Sequence, residues 1–371
     1  MSSVHNNATK ITELDIAIIG GGSAGITLAA KLNDVSALVV EPRTPGERDC
    51  SWALWANKAQ QKQFKKATKG SWQQWRFIDH HSEVVHCSEQ FHYLSLSSAD
   101  YMSECENSLS KGVNLVRAVA ENFHTDGIGG SFTAAGQHYN AKKIYDSRPP
   151  KISEGSLKQH FLGWEIRTKK PITNAQIATL MDFRVDQSRG LHFIYALPFS
   201  ERRLLIESTM ISVRLEDKDW YRQAIKQWLQ EQNIEIEQKL GEETGVIPMQ
   251  SVKSSDRNTL TIGAASGAVR SSSGYAFAGI QAQITKLAKG ISRGQFAVPA
   301  PIPPILKRMD KIFNGVLLSH PELGVSIMMR TAKALDANGF ARFMLGSATI
   351  IDWVRVILAM PKIPFVKQIF H

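Results

Sequence analysis

One stretch leaves this chain few folds to choose from. Leu14-Asp15-Ile16-Ala17-Ile18-Ile19 reads as a buried strand and Gly20-Gly21-Gly22-Ser23-Ala24-Gly25 as a glycine turn. A helix over 26–32 follows, and Val39-Val40-Glu41 is a second strand ending in a carboxylate. Gly20 permits the tight turn, Gly22 lets backbone N–H groups approach a pyrophosphate, and Gly25 lets the helix pack closely on the sheet. Glu41 lies 21 positions after Gly20, where an acid accepts a ribose hydroxyl. Together these parts specify a parallel βαβ unit that binds a dinucleotide; a glycine-rich surface loop is the alternative.

The chain has 371 residues, enough for two domains and a large core. Its 43% hydrophobic and 21% charged residues exclude wholesale disorder. Cys50, Cys87 and Cys105 lack C-x-x-C spacing, which favours reduced thiols and a cytoplasmic setting over a disulfide scaffold. Residues 1–13 hold no apolar h-region, so no secretory signal is expected. The net charge is +10, and over 301–371 nine Lys/Arg face four acids. The same tail contains Ile350-Ile351-Asp352-Trp353-Val354-Arg355-Val356-Ile357-Leu358. No run reaches the roughly 20 apolar residues that span a bilayer. Two readings stay open for it: a surface peripheral to the inner face of an anionic membrane, or a helical layer on the protein's own core. The basic residues form no dense cluster and no binding motif, so nucleic acid is not expected as a partner. His80, His81, His86 and His92 lack zinc spacing, so no metal site is expected.

After Pro42 the texture changes. Residues 44–110 are polar and aromatic, with Trp52, Trp55, Trp72 and Trp75, and read as short strands and helices. Trp52 and Trp55 either line a channel or fill a core. Val113-Asn114-Leu115-Val116 and Ile144-Tyr145-Asp146 read as strands returning to the nucleotide sheet, with hairpin turns at 127–130 and 136 between them. Over 161–209 alternation marks strands, as in Leu191-His192-Phe193-Ile194-Tyr195-Ala196-Leu197 and Arg203-Leu204-Leu205-Ile206-Glu207. Residues 220–238 read as one long amphipathic helix. Leu260-Thr261-Ile262-Gly263-Ala264-Ala265 is a small-residue strand, followed by Gly274-Tyr275 and a helix over about 278–289. A late strand, glycine turn and helix suit a flavin better than a nicotinamide, because the helix N-terminus can face the pyrophosphate or the ring. Residues 299–304 are a proline-rich break before the basic tail.

Taken in order, these segments resemble the bacterial lycopene β-cyclases, flavoproteins that close the ends of linear carotenoids. Asp146-Ser147-Arg148 is similar to the family's Asp-(Gly/Ala)-Arg, and Phe161-Leu162-Gly163-Trp164-Glu165 to its Phe-(Val/Ile)-Gly-Gln-Glu. Met181-Asp182-Phe183-Arg184-Val185-Asp186-Gln187 resembles Met-Asp-Ala-Thr-Val-Asp-Gln, and Phe193-Ile194-Tyr195-Ala196-Leu197-Pro198 follows as in the family. Leu204-Leu205-Ile206-Glu207-Ser208-Thr209 resembles Leu-Leu-Ile-Glu-(Asp/Glu)-Thr, and Phe340-Ala341-Arg342-Phe343 and Ala359-Met360-Pro361-Lys362 also match. There are departures. His-Pro-Thr-Thr-Gly-Tyr-Ser appears as Arg270-Ser271-Ser272-Ser273-Gly274-Tyr275-Ala276, and Asn-His-Thr-Trp as Asp49-Cys50-Ser51-Trp52. Ser208 replaces an acid. These changes are expected around the flavin and substrate pocket.

Motifs and resemblance together imply an α/β fold. A Rossmann-type FAD-binding domain takes 14–48, 112–150 and 245–295, a strand-rich substrate-binding domain 49–111 and 151–244, and a C-terminal basic helical region 296–371. The resemblance implies FAD, reduced in turnover with NAD(P)H as a reductant, held by Gly20, Gly22, Ser23, Ala24, Gly25, Glu41 and Arg43. Trp52, Asp146, Gly263, Gly274 and Tyr275 complete that set. Trp55, Tyr195 and Arg270 are expected at a hydrophobic polyene or isoprenoid substrate, Arg270 either binding an anionic group or making a flavin-phosphate or surface contact. Glu207 and Thr209 take the catalytic position. The implied reaction is redox-neutral: an acid protonates a terminal alkene, an internal double bond captures the cation, and a proton leaves. A glutamate kept neutral in an apolar pocket suits that step. On its own sequence context, without the resemblance, Glu207 reads first as a solvent-facing strand-end carboxylate. Two other readings compete: an FAD-dependent monooxygenase or dehydrogenase on a specialised metabolite, and a non-catalytic flavin- or lipid-binding partner. The oligomeric state is not legible.

Overall fold

A strand segment covered on both faces must be apolar, and the last four residues before the glycine turn, Ile16-Ala17-Ile18-Ile19, are. In the computed structural model, which describes residues 11–250 and 259–369, β1 (Ile11–Ile19) is buried from Ile16 to Ile19. It pairs in parallel with β2 (Ala37–Val40) on one side and with Gln137–Asp146 on the other. Crossover between the first two is α1 (Ser23–Ala30), starting three residues before the expected helix and ending two earlier. Val113–Val116 extends the sheet beyond β2. Gly130–Ala134 and Glu121–Thr125 add antiparallel strands at the opposite edge. The small-residue strand expected over 260–265 is only Leu260–Thr261, because Gly263 turns to φ +64° and opens a 3-10 turn. Helix α2 (Phe277–Ile291) then packs its buried face with α1 in one core.

The second sheet has seven strands. β3 (Lys158–Thr168) pairs antiparallel with β4 (Arg203–Ser212) on one side and with β5 (Ile236–Pro248) on the other. Leu191–Ser200, Ile177–Asp182, Gln74–Ile78 and Glu83–Cys87 continue it beyond β4. Residues 236–248 correct the expected helix over 220–238. That helix runs only from Lys218 to Glu231, Asn233 takes a left-handed φ of +54°, and the chain re-enters the sheet as an edge strand. The helix covers one face of the sheet, packing Tyr221, Ile225, Trp228 and Leu229 on Leu204, Ile206 and Ile194. A small third sheet, Ser51–Asn57, Phe91–Ser97 and Thr68–Trp72, lies toward the other face.

The tail is helical, including Pro304–Ser319, Gly324–Ala334, Ala337–Leu345, α3 (Ile350–Ala359) and α4 (Lys362–Ile369). It does form a layer on the core: Val316, Ile327, Phe340 and Val356 are buried with Trp55, Trp75 and Tyr93. Its other face is apolar and exposed. Among the described residues, no helix is long and apolar enough to cross a membrane.

Candidate active site

The cradle at the end of β1 is built by close backbone approach. Gly20 has φ +93° and donates its N–H to the Val40 carbonyl at 2.9 Å. A Cβ on Gly25 would lie 2.0 Å from the Gly20 carbonyl oxygen, so only glycine lets α1 begin here. A Cβ on Gly22 would meet nothing within 4 Å, leaving open space before Ser23 and Ala24 at the uncapped start of α1, whose first N–H groups have no helical partner. Glu41 is buried and accepts from the Gly21 N–H at 2.9 Å and the Arg43 N–H at 3.1 Å. The Arg43 side chain is 60% exposed with Nε 3.8 Å from Glu41 Oε1, and the buried Arg48 side chain also lies against Glu41, with Nη1 at 3.5 Å from Oε2. Arg48 Nη2 is buried and makes no hydrogen bond among the described residues, its nearest ion-pair partner being Glu106 Oε1 at 4.0 Å. Asp146 clasps Arg148 at 3.0 and 2.7 Å beside the Gly20 backbone. Gly263 packs on Ala24 and donates its N–H to Gln283 Oε1 at 3.0 Å.

A cavity of ≈ 720 Å³ runs from Pro149 and Phe277, beside this cradle, to Ile357, Met360 and Val366 in the tail. Strand period decides what enters it. Glu207, Thr209 and Ile211 of β4 line the cavity, while Ile206 and Met210 pack under the helix on the opposite face. The Glu207 carboxyl is held well above the usual carboxylate range, first by burial and then by the Glu243 carboxyl beside it. Thr209 Oγ1 is buried without a partner among the described residues.

Opposite lies an aromatic wall. Tyr93 Oη meets Tyr195 Oη at 2.8 Å and Tyr275 Oη at 2.7 Å, and burial pushes all three hydroxyls up, keeping them neutral. Trp55, 1% exposed, sets its ring 4.8 Å from Tyr93 and 5.1 Å from Tyr275. It is both core and cavity wall. Trp52 lines the end nearer the cradle, tilted over Phe277 at 5.2 Å. Gly274, φ +73°, sits against the Gln159 amide at the head of this turn.

A family model described as lycopene cyclase protein matches residues 15–369, nearly the whole chain. The chain belongs to the lycopene cyclase family. A lycopene beta-cyclase from Pantoea ananas is 26% identical over 246 residues, which are 62% of this chain and 64% of that relative's length. Among solved structures, a geranylgeranyl bacteriochlorophyll reductase-like protein from Thermoplasma acidophilum superposes with a TM-score of 0.64 at 12% identity, over 97% of this chain and 99% of its own. A flavin-dependent halogenase from Xanthomonas campestris gives 0.57 at 14% identity, over 95% and 90%. Such identities show the fold, a mixed α/β architecture shared with flavin-dependent enzymes.

The departures from the lycopene cyclase pattern do not all fall in the pocket. Ser208 points away from the cavity and bonds His192 Nε2 at 2.9 Å under the helix-covered face, which corrects its expected place. Arg270 lines the cavity, but its guanidinium is already engaged. Nε bonds both Asp310 oxygens at 3.0 Å and Nη1 the Phe343 carbonyl at 2.9 Å, which ties the Gly274 turn to the tail. Three further residues carry the site without having been singled out. Tyr93 sits in an alternating strand that offered a signal; Arg48 offered none. Glu243 lies in β5, whose polar sequence on both faces gives no strand period.

Proposed function

We propose that this chain is a flavoenzyme that cyclises or isomerises the ends of a hydrophobic polyene without net redox change, with Glu207 as the acid. The observation that carries this reading is a buried carboxyl, pushed toward its neutral form, facing an apolar and aromatic cavity that adjoins a dinucleotide cradle. The Glu207 proton forms a new C–H bond at a terminal alkene carbon while that π bond breaks, leaving positive charge on the adjacent carbon. An internal π bond then closes the ring. A proton leaves the cyclised cation and returns to the Glu207 carboxylate, so atoms and electrons balance.

The faces of Trp55, Tyr93 and Tyr275 supply negative quadrupole to the cationic stage, and the apolar walls exclude water that would capture it. The residues of the cradle fit FAD: open space at Gly22, Glu41 for a ribose and the unsatisfied Arg48 Nη2. When bound, reduced FAD, regenerated by a reductant such as NAD(P)H, supplies negative charge beside the developing cation. The substrate enters from a membrane surface. Ile350, Leu358 and Ile363 of α3 and α4 are 83%, 69% and 71% exposed, and Ile357, Val366 and Ile369 of the same helices line the cavity. Basic Arg355, Lys362 and Lys367 lie in the same helices, which supports an anionic bilayer as the surface this face meets. The monooxygenase or dehydrogenase reading rests on the altered 270–273 segment and on the histidine missing from 49–52, and oxygen or NAD(P)H consumption coupled to product would favour it.

Glu207→Gln tests the acid. In the purified, flavin-loaded protein under anaerobic reducing conditions, with lycopene beside shorter polyenes, it should fold and bind flavin as before and lose turnover by at least a hundredfold. Unchanged turnover would sink the assignment.

A further inference from the structure

Most buried carboxylates in this protein have an arginine. Asp146 has Arg148, Asp182 has Arg184, Asp310 has Arg270 and Asp352 has Arg342, each in direct contact. Glu207 has another carboxyl. In the sheet, Gly163 of β3 is the register partner of Glu207 on one side and of Glu243 on the other. A side chain at 163 would stand between the two acids: a Cβ there would lie 2.7 Å from Glu207 Cγ and 3.5 Å from Glu243 Cγ. Glycine in a strand interior weakens a sheet, and its presence marks a close approach. Here it leaves the two carboxyl groups within hydrogen-bonding reach of each other across the middle strand.

The two sides of the pair differ. Glu207 lines the cavity and Glu243 does not. Glu243 Oε2 accepts the Ser51 N–H at 3.0 Å, while its Oε1 is enclosed with no donor among the described residues apart from the Glu207 carboxyl. The nearest cation, Lys69, is committed to Glu165 at 2.8 Å and to Ser51 Oγ at 3.3 Å. Two carboxylates this close and this enclosed do not both ionise.

We propose that Glu243 is the positioning residue of the acid: the pair shares one proton, carried on Glu207 and donated to Glu243 Oε1, with Gly163 as the gap that lets them meet. This rests on Glu207 being the acid of the proposed reaction. An anionic neighbour fixed by Ser51 keeps Glu207 loaded at neutral pH and draws the proton back once the ring has closed. Glu243 itself never touches substrate.

The test is the protonated-carboxyl infrared band of the full-length protein, titrated with pH in wild type, Glu243→Gln and Glu207→Gln, without substrate. Asp182 and Asp352 do not contribute to it, because Arg184 and Arg342 hold their carboxyls below the usual carboxylate range. Wild type should keep the band through neutral pH. In Glu243→Gln its midpoint should fall by about one pH unit or more, a tenfold change in proton affinity, and the alkaline limb of turnover should move with it. In Glu207→Gln any band that remains belongs to Glu243 alone, whose carboxyl burial still holds above the usual carboxylate range, and it should no longer respond to substitution at Gly163. An unmoved midpoint in Glu243→Gln overturns the pairing. Because the titration needs no substrate, loss of the pair and failure of the polyene reading are separate results. Gly163→Ala, if it folds, should reproduce the Glu243→Gln spectrum.

Discussion

At the residue scale, the site depends on groups kept in protonation states that water would not give them. Glu207 is the clearest case, and its sign can be worked through. Burial, then Glu243, raises its folded-state pKa above the ordinary glutamate value of 4.5. An acid raised in the folded state contributes its full stability below the unfolded value and loses it as pH climbs through the raised one. Wild type should therefore lose stability relative to Glu207→Gln as pH rises from about 4.5 through neutrality. Denaturant midpoints across that range check it; parallel curves would mean that Glu207 carries no raised pKa. His192 works in the opposite direction. Burial lowers it to about 4, so its contribution is present above 6.5 and lost on acidification.

At the element scale, what was legible followed periodicity and glycine. The βαβ unit announced itself because the last four residues of β1 are apolar on both faces and Gly25 admits no side chain. The Glu207 strand was legible as an apolar run of strand-forming residues, and the strand period could have told that Ser208 faces away from Glu207. Edge strand β5 was not legible, since solvent on its exposed positions removes the apolar period that marks a strand, and the helix before it masked where it began. Glu243 was lost with it. The tail carries two predictions of its own. The Arg270–Asp310 pair is buried on both sides, at 8% and 2% exposure, so Asp310→Ala strands a buried guanidinium. It should cost about 3–5 kcal/mol in chemical denaturation and open the tail to protease. Asp310→Asn should cost less. On the exposed face, replacing Ile350, Ile351 and Leu358 by Ser should abolish sedimentation with phosphatidylglycerol vesicles and leave that with neutral phosphatidylcholine vesicles at background. Equal binding of both proteins to anionic vesicles would remove the docking face.

At the scale of the whole molecule, three sheets and a helical tail bring a dinucleotide cradle, an acid pair and an exposed apolar face to one continuous cavity. The family model spans this entire arrangement, and fold neighbours under 25% identity share the architecture, so scaffold alone does not choose between ring closure and oxidation. The proposed role of Glu207 does make a choice that can be tested. A ring closed by a proton from a solvent-exchangeable carboxyl carries that proton into the product, whereas oxygenation adds an oxygen atom and dehydrogenation removes hydrogen. Anaerobic turnover of lycopene by the flavin-loaded, reduced enzyme in deuterium oxide, followed by mass spectrometry, reads this directly. The account predicts a cyclic product that has gained one deuterium and lost one protium for each ring closed, with its formula otherwise unchanged. A cyclic product without deuterium, or one altered in oxygen or total hydrogen count, would contradict it.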